Sequence, residues 1–128
     1  MATSEAEATA AKLAAGPEFG LTDHVNRGHH TITLVGELDL MQATTLETVV
    51  RRLCTDGVAS VCLDLSGLSF MDSTGIRSLV VSQDLCRAYA TEFTVVPGPP
   101  LVQQVLRIAG LHDRFPYRAD AQSEQAAS

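Results

Sequence analysis

Apolar residues recur along this chain with two spacings, one typical of strands and one typical of helices. Strand-like runs cover residues 19–25, 31–35, 60–65 and 93–96. Residues 31–35 alternate between polar and apolar, as expected where one face of a sheet is buried. Residues 60–65 are almost continuously apolar, which predicts a central strand. Segment 26–28, Asn-Arg-Gly, predicts the turn of an antiparallel hairpin between the first two runs.

Three further segments show the helical spacing, residues 41–54, 73–89 and 101–109. Gly57 and Gly110 follow the first and the third of them as helix terminators. The resulting order is strand–strand–helix–strand–helix–strand–helix. This order predicts an α/β fold in which right-handed helical crossovers join parallel strands.

The connections between these elements carry predictions of their own. Gly36 permits a sharp change of direction, so residues 37–40 are expected to form a loop. Residues 66–72 are expected to form a second short loop between the central strand and the next helix. Residues 115–117 contain a proline, which is tolerated at a sheet edge, and they predict a short edge strand.

The two ends of the chain differ from its middle in composition. Residues 1–16 are mostly Ala, Ser, Thr and Glu, with almost no large apolar side chain, and predict a flexible N-terminal tail. Residues 119–128 are polar and predict a C-terminal tail or a frayed helix. Residues 17–118 are expected to form one domain, because a chain of 128 residues that is 45% hydrophobic supports a single core.

The charge and the composition narrow the classes of partner. The formal net charge is −6, and Lys12 is the only lysine, so no nucleic acid partner is expected. The chain shows no signal peptide and no apolar run near the roughly 20 residues of a membrane span, which predicts a cytoplasmic protein without a membrane partner. Cys54, Cys62 and Cys86 lack metal-type spacing and predict small buried side chains, with a redox role left open. No metal and no cofactor are expected.

The most informative stretch is residues 63–76, Leu-Asp-Leu-Ser-Gly-Leu-Ser-Phe-Met-Asp-Ser-Thr-Gly-Ile. It predicts a buried strand that leads through a loop into a helix at Asp72-Ser73-Thr74-Gly75. Hydroxyl groups then lie at a helix N-terminus, where free backbone N–H groups and the helix dipole favour an anion. Ser73 is therefore either a helix cap or an accessible phosphate acceptor.

Together with Gly36-Glu37-Leu38-Asp39, this stretch resembles the STAS family, in particular the bacterial anti-sigma factor antagonists, over residues 19–117. In that family the serine of an Asp-Ser-Ser/Thr-Gly motif is phosphorylated by the partner anti-sigma factor. The resemblance implies a mixed β-sheet of four to five strands with helices packed mainly on one face. It also implies that Ser73 is the phosphate acceptor, with Thr74 as the alternative.

The resemblance further implies a regulatory cycle. The unphosphorylated protein binds an anti-sigma factor that has serine-kinase activity, which frees a sigma factor for transcription in a stress response. Phosphorylation of Ser73 releases the protein from the anti-sigma factor, and a phosphatase reverses the modification. The expected partner-binding residues are Asp39, Leu40, Met41, Met71, Asp72, Ser73, Thr74, Gly75 and Ile76. Both loops follow strands, so they are expected to reach the same end of the sheet, with Asp39 and Asp72 near Ser73.

Enzyme motifs are absent from the sequence around Ser73. Met71 stands two places before the serine, which breaks the Gly-x-Ser-x-Gly pattern, and the chain has no Walker-type loop. We therefore expect no enzyme activity. Two alternatives remain open, a nucleotide-binding or weak NTPase STAS domain and a STAS scaffold module without a phosphorylation cycle.

Overall fold

The computed structural model describes residues 9–16 and 19–118. Within them, five strands form one sheet in the order β1-β2-β3-β4-β5. The strands are β1 Thr9–Gly16, β2 Phe19–Asn26, β3 His29–Leu38, β4 Ser60–Met71 and β5 Glu92–Val96. The helices of the same residues are α1 Leu40–Thr55, α2 Ser73–Ala88 and α3 Pro100–Ile108, followed by a 3₁₀ turn at His112–Arg114. The three predicted helices are confirmed to within two residues at each end.

The sheet is mixed, as the sequence predicts. Strands β1, β2 and β3 pair antiparallel in succession, whereas β3–β4 and β4–β5 are parallel pairs. Helix α1 connects the first parallel pair and α2 connects the second. The β2–β3 turn has Arg27 at φ 55° and Gly28 at φ 83°, and two positive φ angles are what a type I′ hairpin turn requires.

One hydrophobic core lies between the sheet and the helices. Alternate residues of the central strands face it, because successive side chains of a strand point to opposite faces. The inward side chains of all three helices belong to the same core, so these helices pack on one face of the sheet. Core members include Ile32 and Leu34 of β3, Val61, Leu63 and Leu65 of β4, Val50 of α1, Leu79 of α2, and Val102 and Leu106 of α3.

The predicted N-terminal tail is wrong for residues 9–16, which form β1. Its backbone pairs with β2 from Thr9, opposite Val25, to Gly16, opposite Phe19. Alanine has a low intrinsic propensity for strands. Backbone hydrogen bonds to the otherwise unpaired edge of β2 nevertheless hold this segment in the sheet. Residues 1–8 and 119–128 lie outside the described residues, and the tails predicted there stay predictions.

Strands β3 and β4 are longer than predicted, and the two predicted loops are largely wrong. The extended ends of the two strands pair from Val35, opposite Gly67, to Leu38, opposite Met71. The register shifts twice along this extension, once next to Gly36, whose φ is 95°. The predicted loop over residues 37–40 therefore reduces to a single residue, Asp39, between β3 and α1.

The last predicted strand is present only as one bridge. Tyr117 forms one parallel bridge with Val95 of β5, and residues 115–117 do not extend this bridge into a strand. Among the described residues, no helix has the length and the apolar character that crossing a membrane requires.

Candidate functional site

The candidate site lies at the end of the sheet where the carboxyl ends of β3 and β4 meet. Leu38 and Met71 are paired in register, and each is followed by an aspartate that caps the next helix. The backbone N–H of Asp72 donates to the carbonyl oxygen of Leu38 over 3.4 Å. The prediction that both segments reach the same end of the sheet is confirmed.

Asp39 and Asp72 are the N-caps of α1 and α2. The Asp39 carboxylate accepts from the backbone N–H of Gln42 at 3.3 Å. One carboxylate oxygen of Asp72 accepts from the backbone N–H of Gly75 at 2.9 Å and from the hydroxyl of Thr74 at 2.6 Å. The Thr74 hydrogen bond, helped by backbone N–H groups, lowers the pKa of Asp72 below its usual value. Asp72 is therefore a fixed negative charge at neutral pH.

Ser73 is the first residue of α2, and its side chain is exposed. The cap position belongs to Asp72, so the interpretation of Ser73 as the cap is wrong. No hydrogen bond within residues 9–16 and 19–118 engages the Ser73 hydroxyl. A free hydroxyl at the positive end of a helix is suited to carry an anionic group.

Thr74 is less available than Ser73. Its side chain is half-buried, and its hydroxyl donates to the Asp72 carboxylate. Modification of Thr74 would break this hydrogen bond and bring a phosphate against a carboxylate. The Ser73 hydroxyl is therefore the more accessible of the two hydroxyls.

Gly75 allows α2 to approach the end of β3 closely. A Cβ atom at this position would lie 2.4 Å from the carbonyl oxygen of Leu38 and 2.7 Å from Cγ of Met71. Gly75 is buried, and Met71 is 3% exposed and belongs to the core. The core encloses the Met71 side chain, so, contrary to the prediction, it is not accessible at the surface for contact with a partner. Ile76 is half-buried and packs against the same core.

Two exposed apolar side chains stand beside this end of the sheet, in the first turn of α1. Leu40 is 63% exposed and Met41 is 76% exposed. Two adjacent, large and exposed apolar side chains are a candidate contact surface for a partner. Both were among the predicted partner-binding residues.

Val35 and Phe70 are exposed apolar residues that the sequence analysis missed. Val35 is 51% exposed and follows the buried Leu34 of β3, and Phe70 is 46% exposed and precedes the buried Met71 of β4. Strict alternation continued past Leu65 would turn Leu68 outward, whereas the structure buries Leu68 and exposes Phe70. The register shifts between β3 and β4 cause this difference, and the sequence pattern does not show them.

The described residues hold no group of three or more histidine, cysteine, aspartate or glutamate side chains able to bind a metal ion. The polar groups that the site presents are the hydroxyls of Ser73 and Thr74, two capping carboxylates and two helix N-termini.

Replacing Asp72 with alanine should destabilise the protein through loss of the cap. We expect Asp72→Ala to lower the free energy of unfolding by about 1 kcal/mol, because the Gly75 N–H loses its acceptor. Asp72→Asn retains an acceptor oxygen and should cost less than about 0.5 kcal/mol. Urea unfolding of both variants measures the difference. Equal losses would assign the effect to the charge of Asp72 instead of its capping hydrogen bond.

Comparison with known proteins identifies the family to which this chain is similar. A family model described as STAS domain matches residues 21–125. The chain is 30% identical over 103 residues to the anti-sigma F factor antagonist of Lysinibacillus sphaericus, covering 80% of this chain and 86% of that relative. It is 34% identical over 80 residues to Osmosensory protein A of Mycobacterium tuberculosis, covering 60% of this chain. That match spans only half the length of Osmosensory protein A.

Two solved structures share the fold. An anti-sigma factor antagonist from Mycobacterium paratuberculosis superposes with a TM-score of 0.73 at 23% identity, covering 90% of this chain and 97% of that one. The Bacillus cell fate determinant SpoIIAA in its phosphorylated form gives a TM-score of 0.65 at 22% identity, covering 86% and 99%. At these identities the likeness establishes the fold alone.

Proposed function

The chain belongs to the STAS domain family, and we propose that it is an anti-sigma factor antagonist controlled by phosphorylation of Ser73. In the unphosphorylated state it binds an anti-sigma factor and thereby frees a sigma factor for transcription. The observation that carries this proposal is the exposed Ser73 hydroxyl at the start of α2, next to the capping carboxylate of Asp72. The related protein of Lysinibacillus sphaericus, named an anti-sigma F factor antagonist, supports the assignment.

The proposed partner is an anti-sigma factor with serine-kinase activity. That partner binds ATP and transfers the phosphate to Ser73, and a phosphatase removes it. The domain, in which β1 joins the predicted residues 17–118, acts in the cytoplasm as a binding switch without an activity or a cofactor of its own. Its net charge of −6 supports a protein partner over nucleic acid.

The phosphate acts through charge. Phosphorylation adds about −1.5 to −2 charges to Ser73. The N-terminus of α2 stabilises that charge, and the exposed Arg77 lies one helical turn later on the same side of α2 as Ser73. The domain therefore stays folded. A bound partner, in contrast, has to desolvate a dianion beside the charged Asp72, which disfavours the complex.

The proposed binding surface combines apolar anchors with a polar rim. Leu40 and Met41 are the anchors, because they expose large apolar side chains beside the site. The polar rim lies at the same end of the sheet and is assigned to Asp39, Asp72, Ser73 and Thr74, with the half-buried Ile76 beside them. Gly75 lies beneath this surface and allows α2 to pack closely against the end of β3, because it has no Cβ atom.

Titration of a candidate anti-sigma factor tests the surface. We expect Met41→Ala to weaken binding about tenfold, since burial of a methionine side chain contributes about 1.5–3 kcal/mol and each 1.4 kcal/mol is a factor of ten. The matched control is Ile108→Ala. Ile108 is 78% exposed, as Met41 is 76% exposed, but it is the last residue of α3. Ile108→Ala should bind like the unmodified protein.

Other outcomes of the same measurements would contradict the proposal. Equal effects of Met41→Ala and Ile108→Ala would place the interface elsewhere. Saturable nucleotide binding with ATP or GTP turnover that is lost on changing Asp39 or Ser73 would favour the nucleotide-binding alternative. Binding of an anti-sigma factor that ATP never reverses would favour the scaffold alternative.

A further inference from the structure

Two cysteines meet between α1 and α2 at the ends of these helices that are farthest from Ser73. Cys54 lies in the last turn of α1 and Cys86 in the last turn of α2. Their sulfur atoms are 3.7 Å apart. Both side chains are in the core, with exposures of 3% for Cys54 and 0% for Cys86. The third cysteine, Cys62 of β4, is equally buried, at 2% exposure, and stands outside this pair.

We propose that Cys54 and Cys86 are a modification site at which oxidation forms a disulfide between α1 and α2. A disulfide needs a sulfur–sulfur distance of about 2.05 Å, so the two sulfur atoms have to approach by less than 2 Å. Rotation about the two Cα–Cβ bonds and a small movement of the last helical turns supply that approach. The assignment rests on the position of the two sulfur atoms and is independent of the function proposed above.

Burial keeps the Cys86 thiol protonated while the helix ends stay closed. Desolvation, together with the neighbouring Cys54, raises the pKa of the Cys86 thiol to about 12. Because the thiolate is the reactive form, oxidation requires transient opening of the last turns. The ends of helices open more readily than their middles, so the position of both cysteines permits this route. The reaction is therefore expected to be slow and selective for the pair.

A hydroperoxide is a sufficient oxidant. In the first step, the thiolate sulfur of one cysteine attacks a peroxide oxygen of hydrogen peroxide, the O–O bond breaks, and a sulfenic acid and a hydroxide ion form. The hydroxide takes up the proton that the thiol lost on ionising and becomes the first water. In the second step, the sulfur of the other cysteine attacks the sulfenic sulfur, the S–O bond breaks, and a second water leaves. Two thiols and one hydrogen peroxide thus give one disulfide and two waters.

The disulfide would join residues that are 32 positions apart in the chain. Closing a loop of this length restricts the unfolded chain, so the oxidised protein should unfold at a higher urea concentration. The cross-link lies at the opposite ends of α1 and α2 from Asp39 and Asp72. It therefore fastens the helix pair without covering the candidate site.

Thiol counting on the full chain tests the proposal. The protein is treated with hydrogen peroxide, unfolded, alkylated with iodoacetamide and weighed by intact-protein mass spectrometry. The untreated chain should carry three alkylated cysteines, and the oxidised chain should carry one. Peptide mapping should place that one on Cys62 and show a cross-linked peptide that contains Cys54 and Cys86. A reducing agent should restore all three thiols.

Variants supply the matched controls. Cys62→Ala should still form the disulfide and show the shift to higher urea, whereas Cys54→Ala and Cys86→Ala should each abolish both effects. The mapping of the unmodified chain decides the question even if a variant fails to fold. The proposal is overturned if all three thiols remain alkylatable after treatment, if Cys62 appears in the cross-link, or if disulfides form only between chains.

Discussion

Phosphorylation of Ser73 is expected to weaken the binding of the anti-sigma factor about 100-fold or more. The like-charge penalty of a dianion buried beside Asp72 is several kcal/mol, and about 3 kcal/mol already corresponds to a factor of 100. Asp72 contributes its full charge, because the Thr74 hydrogen bond lowers the pKa of its carboxyl group. Calorimetric titration of phosphorylated and unmodified protein against one partner, at matched salt, measures the effect.

Substitutions at Ser73 separate charge from shape. Ser73→Glu adds about one charge without phosphate geometry, so its effect should be smaller than that of the phosphate. Ser73→Ala keeps a small neutral surface, and should bind nearly as the unmodified protein does and resist release by ATP. Gln104→Glu is the matched control, because it adds one charge at an exposed position of α3. It should leave the affinity unchanged.

The position of the phosphate is tested separately by mass spectrometry. After incubation with the anti-sigma factor kinase and ATP, the intact protein should gain one phosphate, which peptide mapping assigns to Ser73. Ser73→Ala should gain none. A phosphate on Thr74 would move the acceptor by one residue but leave the proposed mechanism intact. A phosphate on Ser66, Ser69 or Ser78 would contradict the assignment of the acceptor to the N-terminus of α2. Equal affinities of the phosphorylated and unmodified forms would show that Ser73 is not the switch.

Replacement of Gly75 by alanine is expected to destabilise the fold by about 2 kcal/mol, within the range typical of overpacked cores. The added Cβ would lie 2.4 Å from the carbonyl oxygen of Leu38, which is backbone of a paired strand and has little freedom to move. The side chain of Met71, at 2.7 Å, is held by the core. This repulsion outweighs the gain of about 1 kcal/mol that alanine normally brings to a helix.

Gly20→Ala is the matched control for Gly75→Ala. The nearest heavy atom to a Cβ on Gly20 is Cβ of Val35 at 3.9 Å, an ordinary contact. Neither glycine has a positive φ, so backbone strain does not distinguish them. Urea unfolding followed by circular dichroism should show a change within about 1 kcal/mol for Gly20→Ala. Similar losses in both variants would mean that the close approach of α2 to β3 does not require Gly75.

The sequence by itself determined the features that depend on local chemistry. The spacing of apolar residues located α1, α2 and α3, and the segment 26–28 located the hairpin turn. The order of elements gave the parallel crossovers between β3, β4 and β5. The sequence also predicted that a helix starts at Asp72-Ser73, because helix capping depends on residues within one turn of each other.

Only the tertiary structure decided the features that depend on partners far away in the chain. Strand β1 and the extensions of β3 and β4 exist because they pair with other strands, and the composition of each segment alone favours a tail or a loop. The burial of Met71 and the 3.7 Å approach of Cys54 to Cys86 likewise follow from packing. Strand pairing and core contacts join residues tens of positions apart, and local periodicity carries no information about which distant segments meet.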